Sequence, residues 1–224
     1  MNIVRNMIIS ALLLALFAAT GTFFVSYTYD HTLDRINENK RTTLLNAFNV
    51  LIPPKEYDND IFTDFIQVKN KTLLGSSKPV NIYRARKNNK PVAAIINSVA
   101  PDGYNGNIEL LVAIRYDGTI AGVRVVQQNE TPGLGDAIEA KHSNWIFSFA
   151  EKSLTSLSKK EWAVKRDGGS FDQFTGATIS PRAVVKAVYN TLKYYQQNRA
   201  TLYQTHTQNQ NRSQDKSQAE PKKP

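Results

Sequence analysis

The chain has 224 residues, and its 28 lysines and arginines exceed its 19 aspartates and glutamates, which gives a net charge of +9 at pH 7. It contains no cysteine, so disulfides, iron–sulfur clusters and thiolate zinc sites are excluded, and its three histidines lie too far apart in sequence to indicate a histidine-rich metal centre. The positive charge fits either a nucleic-acid partner or a surface near anionic lipid headgroups. No run of lysines and arginines with interleaved aromatic residues occurs, and we therefore predict no nucleic-acid partner.

The N-terminal segment is apolar, with no charged residue between Arg5 and Asp30. At about 1.5 Å per residue, such a helix exceeds the roughly 30 Å of a bilayer's hydrocarbon core. We predict a cytoplasmic N-terminus over residues 1–6 and a transmembrane helix over residues 7–27. The alternative is a signal peptide that is cleaved near Ala18. The apolar run continues beyond the small residues at that point, which favours a retained anchor followed by an exported globular part.

Residues 28–94 are predicted to form a helix followed by the first strands. Apolar residues recur on one helical face from His31 to Leu51, and the two prolines after this segment are expected to end the helix. Strands are predicted over residues 80–86 and 91–100, joined by a turn at Asn88-Asn89.

A second hairpin is predicted further along the chain. Residues 101–106 are rich in turn formers and are interpreted as a loop. Apolar residues alternate from Ile108 to Ile114, and Asp117-Gly118 predicts a tight turn into a strand over residues 120–127. Short helices are then predicted over residues 136–140 and 145–150.

Serine followed by proline at 180–181 predicts the start of the last helix, because serine is a favoured N-cap and proline a favoured first helical residue. Residues 196–224 are rich in Gln, Asn, Ser and Lys and are interpreted as a disordered polar tail. The apolar stripe of the last helix consists of Val184, Val188, Leu192 and Tyr195. The fold class is therefore α+β, with an N-terminal transmembrane helix followed by an antiparallel sheet with packed helices.

The first candidate site is the segment from Asp172 to Ser180, in which Thr178 lies two residues before the predicted start of the last helix. Unpaired backbone N–H groups and the helix dipole favour an anion there, and the small residues would let a phosphate-bearing group approach the backbone. A threonine hydroxyl could hold a phosphoester, but it is a poor nucleophile unaided. The alternative is a simple turn with a local hydroxyl–backbone hydrogen bond.

The second candidate site is the glycine-rich loop from Glu130 to Gly135. Such a loop can wrap a planar ligand, press one apolar side chain on it and offer backbone N–H groups to a ring carbonyl. The alternative is an ordinary loop that closes a strand, with Pro132 and Gly133 as turn formers.

The two segments together resemble the covalent FMN-binding domain family. Thr175-Gly176-Ala177-Thr178, with Asp172 six residues before Thr178, is similar to the family's flavinylation motif, and the loop from Glu130 to Gly135 is similar to its second signature. The resemblance covers roughly residues 95–195, which we predict to be the FMN-binding domain. It implies a covalent FMN cofactor that is attached to Thr178 through a phosphoester by a dedicated flavin transferase.

The resemblance also implies roles for the remaining residues of both motifs. Asp172, Thr175, Gly176 and Ala177 would form the sequence that the transferase recognises and would shape the phosphate pocket. Thr131, Gly133 and Leu134 would contact the flavin ring. Glu130 would either orient its loop or bond the ribityl chain. No residue is predicted to be catalytic or to bind a metal.

Within the family, the short chain and the wording of both motifs favour the G subunits of Rnf/Rsx-type ion-translocating electron-transport complexes. The C subunits of sodium-translocating NADH:quinone reductases are the first alternative, and a non-redox, membrane-anchored scaffold is the second. The resemblance implies partner subunits in a ferredoxin- and NAD-linked complex. It also implies a single-pass location in the bacterial inner membrane, with the globular part on the periplasmic side. A histidine that often precedes the glutamate of the second signature is replaced here by Gln127, Gln128 and Asn129.

Overall fold

A computed structural model describes residues 2–204, except for the placement of some side chains between residues 30 and 43. The described chain divides into two units, one up to Ala47 and a second, compact body that begins at Phe48. The predicted domain boundary at residue 95 falls inside a strand of this body. The body therefore includes much of the segment that the sequence analysis placed before the FMN-binding domain.

Helix α1 (Asn2–Leu51) is continuous, in agreement with the predicted helices on either side of residue 28. Its stretch from Ile3 to Tyr29 is long and apolar enough to cross a membrane, and its large side chains are exposed. The hydroxyl of Thr20 donates to the carbonyl of Leu16 at 2.9 Å, so this polar group is satisfied within the helix.

The second unit is built on one antiparallel sheet in the order β1-β2-β3-β4-β5. The predicted turn at Asn88-Asn89 is confirmed, and both residues have positive φ angles, as the tightest hairpins require. Residues 101–106 are not the predicted loop, because pairing continues to Gly103 and resumes at Gly106. The strands are β1 (Phe65–Val68), β2 (Val80–Lys87), β3 (Lys90–Gly103), β4 (Gly106–Arg115) and β5 (Ile120–Gln127).

The helical elements of this body are mostly short. Helix α2 covers Lys71–Leu74, and 3₁₀ turns lie at Pro54–Glu56, Gly135–Ile138, Trp145–Phe149 and Lys165–Asp167. Two of these turns match the short helices predicted after β5. Helix α3 (Ile179–Leu202) packs on the sheet, and the four residues of its predicted apolar stripe are all buried. The α+β class is thus confirmed.

Both ends of α3 differ from the prediction. The helix begins at Ile179 with Thr178 in the N-cap position, so Ser180 is not the cap. At the other end it continues to Leu202, and residues 196–202 are helical rather than part of a disordered tail. The reason is that two arginines of β2 hold its last carbonyls. Arg84 donates to the carbonyl of Leu202 at 3.2 Å, and Arg86 donates to that of Tyr203 at 3.0 Å. Residues 205–224 of the predicted tail lie outside the described residues.

Candidate functional site

A pocket of about 320 Å³ lies where three elements of the compact body meet. These are the turn between β3 and β4, the loop that follows β5, and the start of α3. Both candidate segments of the sequence therefore line one pocket, although some forty residues separate them in the chain. The lining residues are Tyr104, Glu130, Thr131, Leu134, Gly135, Gly176, Ala177, Thr178, Ile179 and Ser180.

Thr178 is the N-cap residue of α3, but its hydroxyl makes no capping hydrogen bond. Within residues 2–204, that hydroxyl has no hydrogen-bond partner, and the residue is half-buried on the pocket wall. Helix α3 is 24 residues long, so the unpaired N–H groups and the positive dipole end of a full helix lie beside this hydroxyl. The local hydroxyl–backbone bond that was the alternative explanation of the motif is therefore not formed.

A tight turn presents Thr178 to the pocket. Ala177 N–H donates to the carbonyl of Phe174 at 3.2 Å, and Gly176 has a φ of 80°, which favours glycine. The turn is anchored to the core because Trp145 donates its indole N–H to the carbonyl of Asp172 at 2.8 Å. A buried tryptophan thus holds the chain segment that leads into the turn before Thr178.

Glu130 forms a buried hydrogen-bonded cluster on the opposite wall. The residue is 4% exposed, and its Oε2 accepts a hydrogen bond from Ser180 Oγ at 2.5 Å. Its Oε1 accepts from the backbone N–H of Asn105 at 3.2 Å, and its own N–H donates to the side chain of Gln128. One carboxylate therefore connects all three elements that form the pocket.

Two glycines make room for this carboxylate. A Cβ at Gly135 would lie 2.7 Å from Ser180 Oγ and 2.9 Å from Glu130 Oε2. A Cβ at Gly103 would lie 2.8 Å from Glu130 Oε1 and 2.3 Å from the carbonyl oxygen of Gly106. Any side chain at either position would disturb the cluster.

The mouth of the pocket is apolar. Tyr104, Leu134 and Ile179 come from three different elements and are 65%, 45% and 43% exposed. Side chains of this size are usually covered when they cluster, and a planar aromatic ligand would cover them.

Three of the predicted site residues do not line the pocket. Asp172 points to solvent and pairs with Lys165 at 2.6 Å, and Thr175 is exposed on the adjoining turn. Gly133 has a φ of 77°, and a Cβ built at this position would meet no neighbouring atom. This glycine is therefore explained by the backbone conformation of its loop. The other six predicted residues share the pocket wall.

Four residues that line the pocket were not predicted as site residues: Tyr104, Gly135, Ile179 and Ser180. Gly135 belonged to the predicted loop, and Ser180 was assigned to a cap. One feature could have indicated Tyr104: this exposed aromatic residue lies between two glycines at the tip of a hairpin.

Several charged residues outside the pocket are paired with one another. Arg182, in the first turn of α3, donates to Asp167 at 2.6 Å, and this hydrogen bond holds the pKa of the Asp167 carboxyl below its usual value. His142 Nδ1 lies 3.0 Å from Asp136 Oδ2. Residues 2–204 contain no cluster of His, Cys, Asp and Glu side chains that could hold a metal ion.

Comparison with protein families agrees with this architecture. Residues 103–193 match the model of the FMN-binding domain, and residues 1–51 match the model of the RnfG N-terminal region. The FMN-binding domain match thus covers the later part of the compact body and includes every residue that lines the pocket.

Curated relatives identify the subfamily. The chain is 46% identical over 194 residues to the G subunit of the ion-translocating oxidoreductase complex of Pseudoalteromonas atlantica, covering 87% of this chain and 90% of the relative. The G subunits of Shewanella baltica and Vibrio cholerae are 45% and 43% identical over 197 and 194 residues, covering 88% and 87% of this chain and 93% and 92% of those relatives. The chain belongs to the family of G subunits of ion-translocating oxidoreductase complexes. The C-subunit alternative from the sequence analysis is set aside.

Proposed function

We propose that the chain is a membrane-anchored flavoprotein subunit that carries electrons on an FMN bound covalently to Thr178. The observation that carries this proposal is the free hydroxyl of Thr178 at the N-terminus of α3, on the wall of a pocket with an apolar mouth. The FMN-binding domain match supports the cofactor, and the G-subunit relatives support a place in an ion-translocating oxidoreductase.

The phosphate of FMN suits the start of α3. A phosphodiester on Thr178 Oγ would lie next to the unpaired N–H groups of a full helix, and the helix dipole favours the negative charge. Gly176 and Ala177 leave space beside the hydroxyl, since one has no side chain and the other only a methyl group. The residues present therefore fit the phosphate end of the cofactor.

The flavin ring suits the apolar mouth. Leu134, Tyr104 and Ile179 would cover its faces and exclude water, and Thr131 adds a hydroxyl on the same wall. Both carboxylate oxygens of Glu130 already accept hydrogen bonds from the protein, which favours an orienting role over a bond to the ribityl chain. When bound, FMN supplies the reversible uptake and release of electrons. The chain's own residues hold it in place and shield it.

Attachment is proposed to require a separate flavin transferase. A threonine hydroxyl needs a base or an activated donor to attack a phosphate, and among the described residues no side chain that could act as a base is hydrogen-bonded to the Thr178 hydroxyl. Asp172 and Thr175 lie outside the pocket and are exposed. They are therefore accessible to an enzyme that recognises the motif.

The apolar part of α1 is proposed as a retained single-pass anchor in the bacterial inner membrane. Its segment from Ile3 to Tyr29 has the required length and composition. The compact body would then lie on the periplasmic side, where a covalent bond prevents loss of the cofactor. Its partners are the other subunits of a ferredoxin- and NAD-linked complex whose electron flow drives ion movement.

The test is co-expression of the full chain with a flavin transferase, followed by denaturing gel electrophoresis. We expect a band that fluoresces as flavin, which Thr178→Ala abolishes and Thr178→Ser retains in part. Thr201→Ala is the matched control, since this exposed threonine lies at the far end of the same helix. A fluorescent band in Thr178→Ala would refute the attachment site. A colourless wild-type protein would favour the non-redox scaffold.

A further inference from the structure

The Glu130 carboxylate is the only buried acidic group on the described pocket wall, and no cation contacts it. The residue is 4% exposed. Both groups that donate to the carboxylate are neutral, namely the hydroxyl of Ser180 and the backbone N–H of Asn105. No lysine, arginine or histidine among residues 2–204 forms a salt bridge with it.

Four salt bridges on the elements around Glu130 join other charged residues to one another and do not include the Glu130 carboxylate. Their nearest charged atoms lie 2.6 to 3.0 Å apart. The pairs are Asp102 with Lys186, Asp136 with His142, Asp167 with Arg182, and Glu139 with Lys141. The ionised form of Glu130 thus leaves one negative charge beside the pocket with no cationic side chain in contact.

We propose that Glu130 lowers the reduction potential of the flavin held in this pocket, an inference that rests on the proposed function. Electrons that arrive on a flavin add negative charge to the pocket. A fixed carboxylate on a buried wall opposes that charge more strongly than it would in water, because the effective dielectric constant is lower. Glu130 forms and breaks no covalent bond in this role. The electrons come from the redox partner, and any proton comes from solvent.

Ser180 provides a second prediction of opposite sign. Its hydroxyl donates to Glu130 Oε2 at 2.5 Å, so the positive end of the O–H dipole partly offsets the carboxylate charge. Removal of the hydroxyl leaves the carboxylate less compensated and makes the pocket more negative. Glu130→Gln should therefore raise the flavin potential, and Ser180→Ala should lower it. A merely structural role would loosen the same wall in both variants and would shift both potentials in one direction.

The experiment is a spectroelectrochemical titration of the flavin-loaded full chain in detergent at pH 8. We expect Glu130→Gln to raise the ratio of reduced to oxidised flavin at a fixed applied potential at least tenfold, about 30 mV for a two-electron couple. Ser180→Ala should lower the ratio of reduced to oxidised flavin. Glu151→Gln is the matched control, since this exposed carboxylate pairs with Arg115 outside the pocket and should leave the potential unchanged.

An unchanged potential in flavin-loaded Glu130→Gln overturns the proposal, as do shifts of both variants in the same direction. If Glu130→Gln takes up no flavin, Ser180→Ala decides alone, and a raised or unchanged potential there overturns the proposal. Failure of the proposed function has a separate signature. A wild-type chain without covalent flavin refutes attachment through Thr178. In that case the flavin potentials of the wild type and the variants can still be compared with free FMN added to the pocket.

Discussion

Gly135→Ala is expected to destabilise the compact body by closing the space that the Glu130 cluster occupies. The new Cβ would lie 2.7 Å from Ser180 Oγ, 2.9 Å from Glu130 Oε2 and 3.0 Å from Glu130 Cβ. Overpacking of this kind costs about 1–3 kcal/mol, and the hydrogen bond that it strains, which involves a charged group, contributes about 1.5–3 kcal/mol. These contributions overlap, so we expect a loss of about 2 kcal/mol, or roughly 4–8 °C in Tm for a body of this size.

Tryptophan fluorescence of the flavin-free full chain in detergent measures this loss directly. Both tryptophans of the chain, Trp145 and Trp162, are buried in the compact body, so their emission reports its unfolding. Gly122→Ala is the matched control, because its Cβ would meet a single flexible atom, Leu51 Cδ2, at 2.9 Å. A Tm of Gly135→Ala within about 1 °C of wild type would refute the steric argument.

Variants at three further positions test the packing around α3. Arg84→Met should reduce the free energy of unfolding by about 3 kcal/mol. It leaves the partly buried Asp64 without one of its two arginines, and it removes the hydrogen bonds to the carbonyls at the end of α3. A change below about 1 kcal/mol in thermal unfolding would contradict this. Thr191→Val should cost about 1–2 kcal/mol by leaving the buried Ser98 hydroxyl without its 2.7 Å partner, whereas Thr191→Ser should retain most of the stability. Burial raises the pKa of Tyr203 far above its ordinary value of about 10. The contribution of this group to stability is therefore complete below about pH 10 and falls as the pH rises further, where the unfolded chain loses the proton first. Tyr203→Phe should lose less stability than wild type between about pH 9 and pH 11, and equal losses would exclude this phenol as the cause.

Sequence patterns predicted the central sheet where the turn chemistry was strong. Asn88-Asn89 and Asp117-Gly118 specify two hairpins because few residues adopt the required positive φ angles. The short strand β1 and helix α2 were not predicted, since four residues carry too little periodicity. The true end of α3 depends on arginines more than a hundred residues away in the chain, which no local pattern reveals.

The candidate site was predictable in its two loop segments and not in its assembly. The threonine-containing motif lies before a helix and the second loop is rich in glycine, but each alone also fits an ordinary turn or loop, and only the two together resembled an FMN-binding domain. That Glu130 connects both segments through Ser180 is a tertiary contact across fifty residues. Serine before proline is a strong N-cap signal, and here the tertiary hydrogen bond to a buried carboxylate prevails over that local preference.

Peptide mass mapping tests the central claim most directly. Trypsin cleaves after Arg166 and Arg182 and releases one peptide that contains Thr175, Thr178 and Ser180. In full chain co-expressed with a flavin transferase, we expect this peptide to carry one FMN less one water, with fragment ions that assign the added mass to Thr178. An unmodified peptide, or added mass on Thr175 or Ser180, would contradict the assignment of Thr178 as the attachment residue.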